Sequence, residues 1–88
     1  MILYHVTTPK KARRYKQTGC ILAPVRGFTT FIAALAWACK VGRTVVLKIE
    51  TDGAAYPLPD HNNKWGRAWW TDQNVTKWSG LFHAEADA

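Results

Sequence analysis

Three histidines (His5, His61, His83) and two cysteines (Cys20, Cys39) are the residues of this 88-residue chain that could ligate a metal or act as nucleophiles. No two of them stand at the spacing of a zinc site, so no metal centre is expected. Cys39 falls in the apolar run Phe31–Cys39, where burial would raise the thiol pKa and suppress its reactivity. A Gly-rich phosphate loop of Walker or dinucleotide type is missing as well. Chemistry of another kind remains. His5 sits in Leu3-Tyr4-His5-Val6-Thr7-Thr8, Arg26 and Phe28 flank Gly27, and Trp65-Gly66-Arg67-Ala68-Trp69-Trp70 sets rings beside a cation. An imidazole or a threonine hydroxyl can bond a ligand or satisfy a backbone group, and a guanidinium can clamp phosphate or stay solvated. Trp rings interleaved with Arg and Lys suit base stacking over a phosphate-tracking surface, although a small domain also needs large rings for its core.

Charge narrows the partner. Residues 1–48 carry nine basic side chains and no acid, whereas residues 49–88 carry three basic residues and all six acids, so the halves stand at +9 and −3. That polarity favours nucleic acid, a nucleotide phosphate or an acidic protein for the first half. The densest run is Lys10, Lys11, Arg13, Arg14 and Lys16; with Trp65 and Arg67 it makes the candidate nucleic-acid surface. No apolar stretch approaches the roughly 20 residues of a membrane span. The opening Met1-Ile2-Leu3-Tyr4-His5 lacks the basic and apolar regions of a signal peptide, so no membrane partner and a cytoplasmic setting with reduced thiols are expected.

These residues need elements to position them. The length allows one domain, residues 1–88, with 84–88 as a frayed tail. Ile2–Val6 reads as a strand, and Thr8 with Pro9 opens a helix over 9–17 that Gly19 closes. Gly19–Ala23 then leads through Pro24 into a loop at Val25-Arg26-Gly27. Thr29 or Thr30 caps a second helix, Phe31–Lys40, which is apolar nearly all round and therefore expected to be the most buried element. Thr44–Glu50 alternates as a strand, and Asp52-Gly53 predicts a tight turn pairing it with an edge strand over Ala54–Leu58. Ala68–Thr71 and Lys77–His83 read as short strands. The order gives an α+β fold.

From Leu3-Tyr4-His5-Val6-Thr7-Thr8, through Gly27-Phe28-Thr29-Thr30 and Ala34-Leu35-Ala36-Trp37-Ala38, to Gly42–Ile49, the first half of the chain resembles the ADP-ribosyltransferase-like superfamily. That group includes the poly-ADP-ribose polymerase type catalytic domain, the DarT toxins and the RNA 2′-phosphotransferases. The resemblance covers residues 2–50 and implies a compact mixed sheet with two short helices. It implies that His5 meets the ribose or nicotinamide of NAD and that Thr7 stands beside it. It sets Phe28 near the nicotinamide-stacking aromatic, with Arg26 in the same loop for a pyrophosphate. A carboxylate late in the chain stabilises the oxocarbenium-like transition state in such enzymes, and Glu85 is the late glutamate here, Glu50 being the other.

Three readings follow. The first is a small basic domain of this type that binds nucleic acid or a nucleotide in a cleft around His5 and Phe28, without catalysis. The second is an NAD-dependent transferase with His5 and Glu85 as catalytic residues. The third is a protein-interaction factor of phage-inhibitor or toxin–antitoxin type.

Overall fold

The computed structural model describes residues 1–83. Six strands and two helices follow in the order β1 (Ile2–Thr7), α1 (Pro9–Thr18), β2 (Val25–Phe28), α2 (Phe31–Val41), β3 (Val45–Glu50), β4 (Tyr56–Pro57), β5 (Ala68–Thr71) and β6 (Lys77–His83). The strands form one sheet in the spatial order β4-β5-β2-β1-β3-β6. The fold is α+β with two helices. Every pairing is antiparallel, where a mixed sheet was expected. No helix among the described residues is long and apolar enough to cross a membrane.

Local chemistry sets both helices. Thr8 and Thr30 are extended N-caps whose hydroxyls accept from Lys11 N and Ala33 N, at 3.2 and 3.1 Å. Gly19 and Gly42 end the helices at φ 72°, a left-handed conformation that costs a residue with a side chain far more than glycine. The helices lie against opposite faces of the sheet. On one face Ala12 and Tyr15 of α1 pack over Leu3, Val25, Leu47 and Ile49. On the other, Ala33, Ala34 and Ala38 of α2 pack over Val6, Phe28, Val46 and Ala68. Leu3 and Val6 thus fall on different sides of β1, as strand alternation requires.

Four expectations change. Val25–Phe28 is a strand, not a loop: Gly27 marks a close approach, because a Cβ there would lie 2.8 Å from the Cβ of Leu3. The Asp52-Gly53 turn makes no hairpin, since β3 already has β1 and β6 on its two sides and β4 pairs with β5 at the far edge. Helix α2 is buried on one side only; Ile32 and Val41 are exposed, and so is Cys39. The Trp69 and Trp70 rings, offered as a stacking surface or as core, are each half-buried: Trp69 packs on the α1-side core and Trp70 lies 5.1 Å from the Tyr56 ring.

The sheet is nearly two sheets. Strand β1 is laddered to β3 along its whole length, and β2 to β5 along all of Val25–Phe28. Between β1 and β2 the pairing is confined to Tyr4 opposite Phe28. The strands part beyond that rung, and the candidate site lies there.

Candidate functional site at the split between β1 and β2

Continuing the β1–β2 register would set Val6 opposite Arg26. Instead the His5 ring reaches across: Nδ1 lies 2.6 Å from the Arg26 carbonyl oxygen. A carbonyl only accepts, so Nδ1 carries the proton and Nε2 is left with its lone pair. Nε2 lies 3.4 Å from the Tyr15 hydroxyl, which in turn lies 3.3 Å from Thr7 Oγ1. One assignment satisfies all three groups: Thr7 donates to Tyr15, and Tyr15 donates to His5. Burial holds the His5 pKa below its ordinary value; the Arg26 carbonyl bond opposes the shift, and the charges of Arg43 and Lys11 add to it. His5 is therefore neutral at pH 7. The Arg43 guanidinium sits 3.5 Å from the Val6 carbonyl and donates to it from Nη1.

Beside the wedge lies a cavity of about 90 Å³, walled by His5, Arg26, Phe28, Trp37, Leu58 and His61 among others. Its aromatic wall is continuous, with ring centroids 5.9 Å apart for Phe28 and Trp37 and 5.0 Å apart for Trp37 and His61. His61 Nδ1 is buried there without a hydrogen-bond partner among the described residues. At about 30 Å³ per liquid water, the enclosed space accepts part of one planar ring. Everything else in a dinucleotide would have to lie across the mouth. Lys11, Arg26 and Arg43 make no ion pair there; the one pair among the described residues joins Lys77 to Asp52 at 3.8 Å, both well exposed.

The sequence-expected residues divide. His5, Arg26 and Phe28 converge on this cavity although they lie more than twenty residues apart in the chain. Thr7 does not: its side chain turns to the α1 face, is 0% exposed and is engaged by Tyr15. Lys10, Lys11, Arg13, Arg14 and Lys16 are all exposed along α1. Trp65 and Arg67 are not part of that surface. Their loop is tied to α2, with Thr30 Oγ1 donating to the Trp65 carbonyl at 2.8 Å and Asn63 Nδ2 to the Ala33 carbonyl at 3.1 Å. Trp65 therefore lies on the opposite side of the sheet from α1, and the Arg67 backbone is bonded to Thr29 at the start of β5. Trp65 is exposed, with the Lys64 ammonium 4.5 Å from its ring centre. Glu85 lies outside the described residues. Glu50 stands opposite Ile2 and Lys77, three register positions from the Leu47 that faces His5.

Four contributors were missed. Tyr15, Trp37 and His61 were not among the residues expected at this cleft. Arg43 carries no sequence signal at all, because its role depends on a carbonyl that β2 leaves unpaired. Among the described residues no three of His, Cys, Asp and Glu gather at metal-binding distance. Comparison with protein-family models, with curated proteins and with solved structures finds no match.

Proposed function

We propose that this protein is a small ADP-ribosyltransferase-like domain of the cytoplasm that binds a nucleotide, free or at the end of a nucleic acid, at the split between β1 and β2. The observation that carries the reading is the convergence of Arg26 and three ring-bearing walls, Phe28, Trp37 and His61, on one cavity beside His5. The rings offer a slot for the edge of a base or nicotinamide ring, and His61 Nδ1 offers it a polar partner. Phosphates would lie outside, where Lys11, Arg26 and Arg43 have no carboxylate partner. Binding rather than transfer is the favoured activity, since no carboxylate is among the described residues lining the cavity.

In this site His5 has a positioning role. Its Nδ1–H holds the Arg26 backbone, and with it the guanidinium, at the mouth. The experiment is a titration with NAD, ADP-ribose, AMP and a short single-stranded oligonucleotide, followed by the ring resonances of His5, Phe28 and His61. The reading expects these three to shift together, and Arg26→Ala to weaken binding about tenfold while leaving the fold intact. No shift at any of the three rings with any of these ligands would end it. Release of nicotinamide by the wild-type protein, lost in Glu85→Gln, would replace it with the transferase reading.

A further inference from the structure

A second concavity lies on the other face of the sheet, away from the cavity at His5. It is an open groove of about 400 Å³ between α1 and β6, bordered by Ala12 and Lys16 on one side, Leu47 on the floor, and Trp78, Gly80 and Leu81 on the other. Three independent features meet here. The first is an edge. Strand β6 is last in the sheet order, and among the described residues only β3 pairs with it, so the backbone groups along its outer side are free to pair. The second is an apolar floor with room above it: Leu81 is 47% exposed, and a Cβ placed on Gly80 would meet nothing within 4 Å. Gly80 stands opposite Leu47, whose side chain belongs to the α1-side core, so this empty space opens into the groove. The third is charge. Of the α1 cations Lys16 borders the groove, and neither α1 nor β6 carries an acid.

Each feature selects something different about the occupant. A free strand edge takes an extended backbone, an apolar floor takes alternate side chains, and a basic wall takes carboxylates. The register of β6 slips between Val46 and Leu47, so the straight stretch available to a partner is Lys77–Gly80, followed by the bulge at Leu81. Such a bulge limits indiscriminate edge pairing. Discrimination is left to the groove.

We infer that the groove between α1 and β6 docks an extended acidic segment of a partner protein, laid along β6 with an apolar side chain over Gly80 and, two residues along and so on the same face, a carboxylate toward Lys16. Nucleic acid shares the negative charge but not the fit: the groove presents an apolar floor, and its largest ring, Trp78, is half-buried against the core and packs edge-on to Tyr15. An acidic peptide uses all three features, and a phosphate backbone uses one.

The test uses a synthetic peptide of roughly eight residues, long enough to span a strand of this size, with Leu and Glu two residues apart on one face and Ser on the other, and a counterpart with Lys in place of Glu. Titration into the full chain, followed by backbone amide resonances, is expected to move Lys16, Gly80 and Leu81 with the acidic peptide and not with the basic one. Gly80→Val fills the groove where the structure has room, and is expected to weaken binding at least about tenfold with an unchanged melting curve. Leu81→Glu, at an exposed position, tests the same surface independently through like charge, with a loss of similar size. Arg26→Ala is expected to leave peptide binding unchanged, which separates this surface from the nucleotide site. Equal binding of both peptides, or full affinity in the folded Gly80→Val and Leu81→Glu variants, would overturn the proposal. So would displacement of the peptide by single-stranded DNA with the same amides shifted, which would make the groove a nucleic-acid site.

Discussion

The two helices are of similar length and are attached to the sheet in contrasting ways. Helix α2 has three alanines, Ala33, Ala34 and Ala38, at no more than 1% exposure, and their small size lets its backbone come down close to Val6, Val46 and Ala68. Helix α1 has no buried residue; Ala12 and Tyr15 alone face the core, and its other side chains are mostly charged and exposed. One helix is part of the packing, and the other is carried on it. The difference separates two tasks that a chain of this size must share: α2 seals a core, while α1 delivers charge to the rims of two concavities. Lys11 reaches toward His5, and Lys16, just over a turn later, toward β6.

That contrast makes graded predictions. The largest effect belongs to the α2 face: Phe28→Ala removes a core ring shared with Trp37 and is expected to cost about 3–5 kcal/mol in denaturant unfolding. A loss below roughly 1 kcal/mol would mean that α2 is not the packed side. Next comes Ala34→Leu, which forces extra volume under a close-fitting helix and is expected to cost about 1–3 kcal/mol. The same enlargement at half-buried Ala12 of α1 should cost clearly less, and equal losses would erase the distinction.

Smaller again is Tyr15→Phe. It leaves the buried Thr7 hydroxyl without its partner and His5 Nε2 without a donor, at about 1–2 kcal/mol. Burial of the His5 ring governs the pH dependence. His5 has a folded pKa below 6.5, so the unfolded chain binds this proton first. Stability contributed by neutral His5 is present above about pH 6.5 and declines as pH falls toward the folded pKa. The slope through that window is at most about 1.4 kcal/mol per pH unit, the value for one proton. His5→Gln should flatten it in unfolding curves taken between pH 7 and 5. A slope unchanged by His5→Gln would show that His5 is not its source.

The smallest effect concerns α1 as a carrier of charge. If single-stranded nucleic acid runs from the split across α1, Lys11→Ala should reduce the log–log salt slope of binding by about 0.7, the contribution of one phosphate contact on a single strand. Thermal stability should stay level. A change in the melting curve instead would show that Lys11 is part of the packing after all.

Much of this fold was readable because its signals are local. The threonine caps, the two closing glycines and the alternation of Val45, Leu47 and Ile49 each act within a few residues, and the corresponding elements appear within a residue or two of where they were expected. Pairing is not local. Asp52-Gly53 has good turn chemistry, yet a hairpin there would need a sheet position that β6, nearly thirty residues downstream, already occupies. Gly27 looked like a turn residue because crowding against Leu3 is invisible before the strands are placed. The site shows the same divide. His5, Arg26 and Phe28 could be grouped from their order along the chain. The turning of Thr7 toward Tyr15 depends on strand alternation combined with the face that α1 happens to cover, and the distance of Trp65 from α1 depends on which face α2 takes.

The single rung between β1 and β2 has a mechanical consequence. A sheet laddered throughout resists separation of any two neighbours, because several bonds must yield together. Here the three strands β6, β3 and β1 form one stiff plate, and β2, β5 and β4 form another, with compliance concentrated at the seam beyond Tyr4 and Phe28. Spreading the plates on the His5 side breaks the imidazole bond to Arg26 while both ladders stay closed. Amide exchange should therefore be slow within each plate and fast along the seam. The enclosed volume of about 90 Å³ is then the resting value of a gap that can widen elastically without unfolding either side.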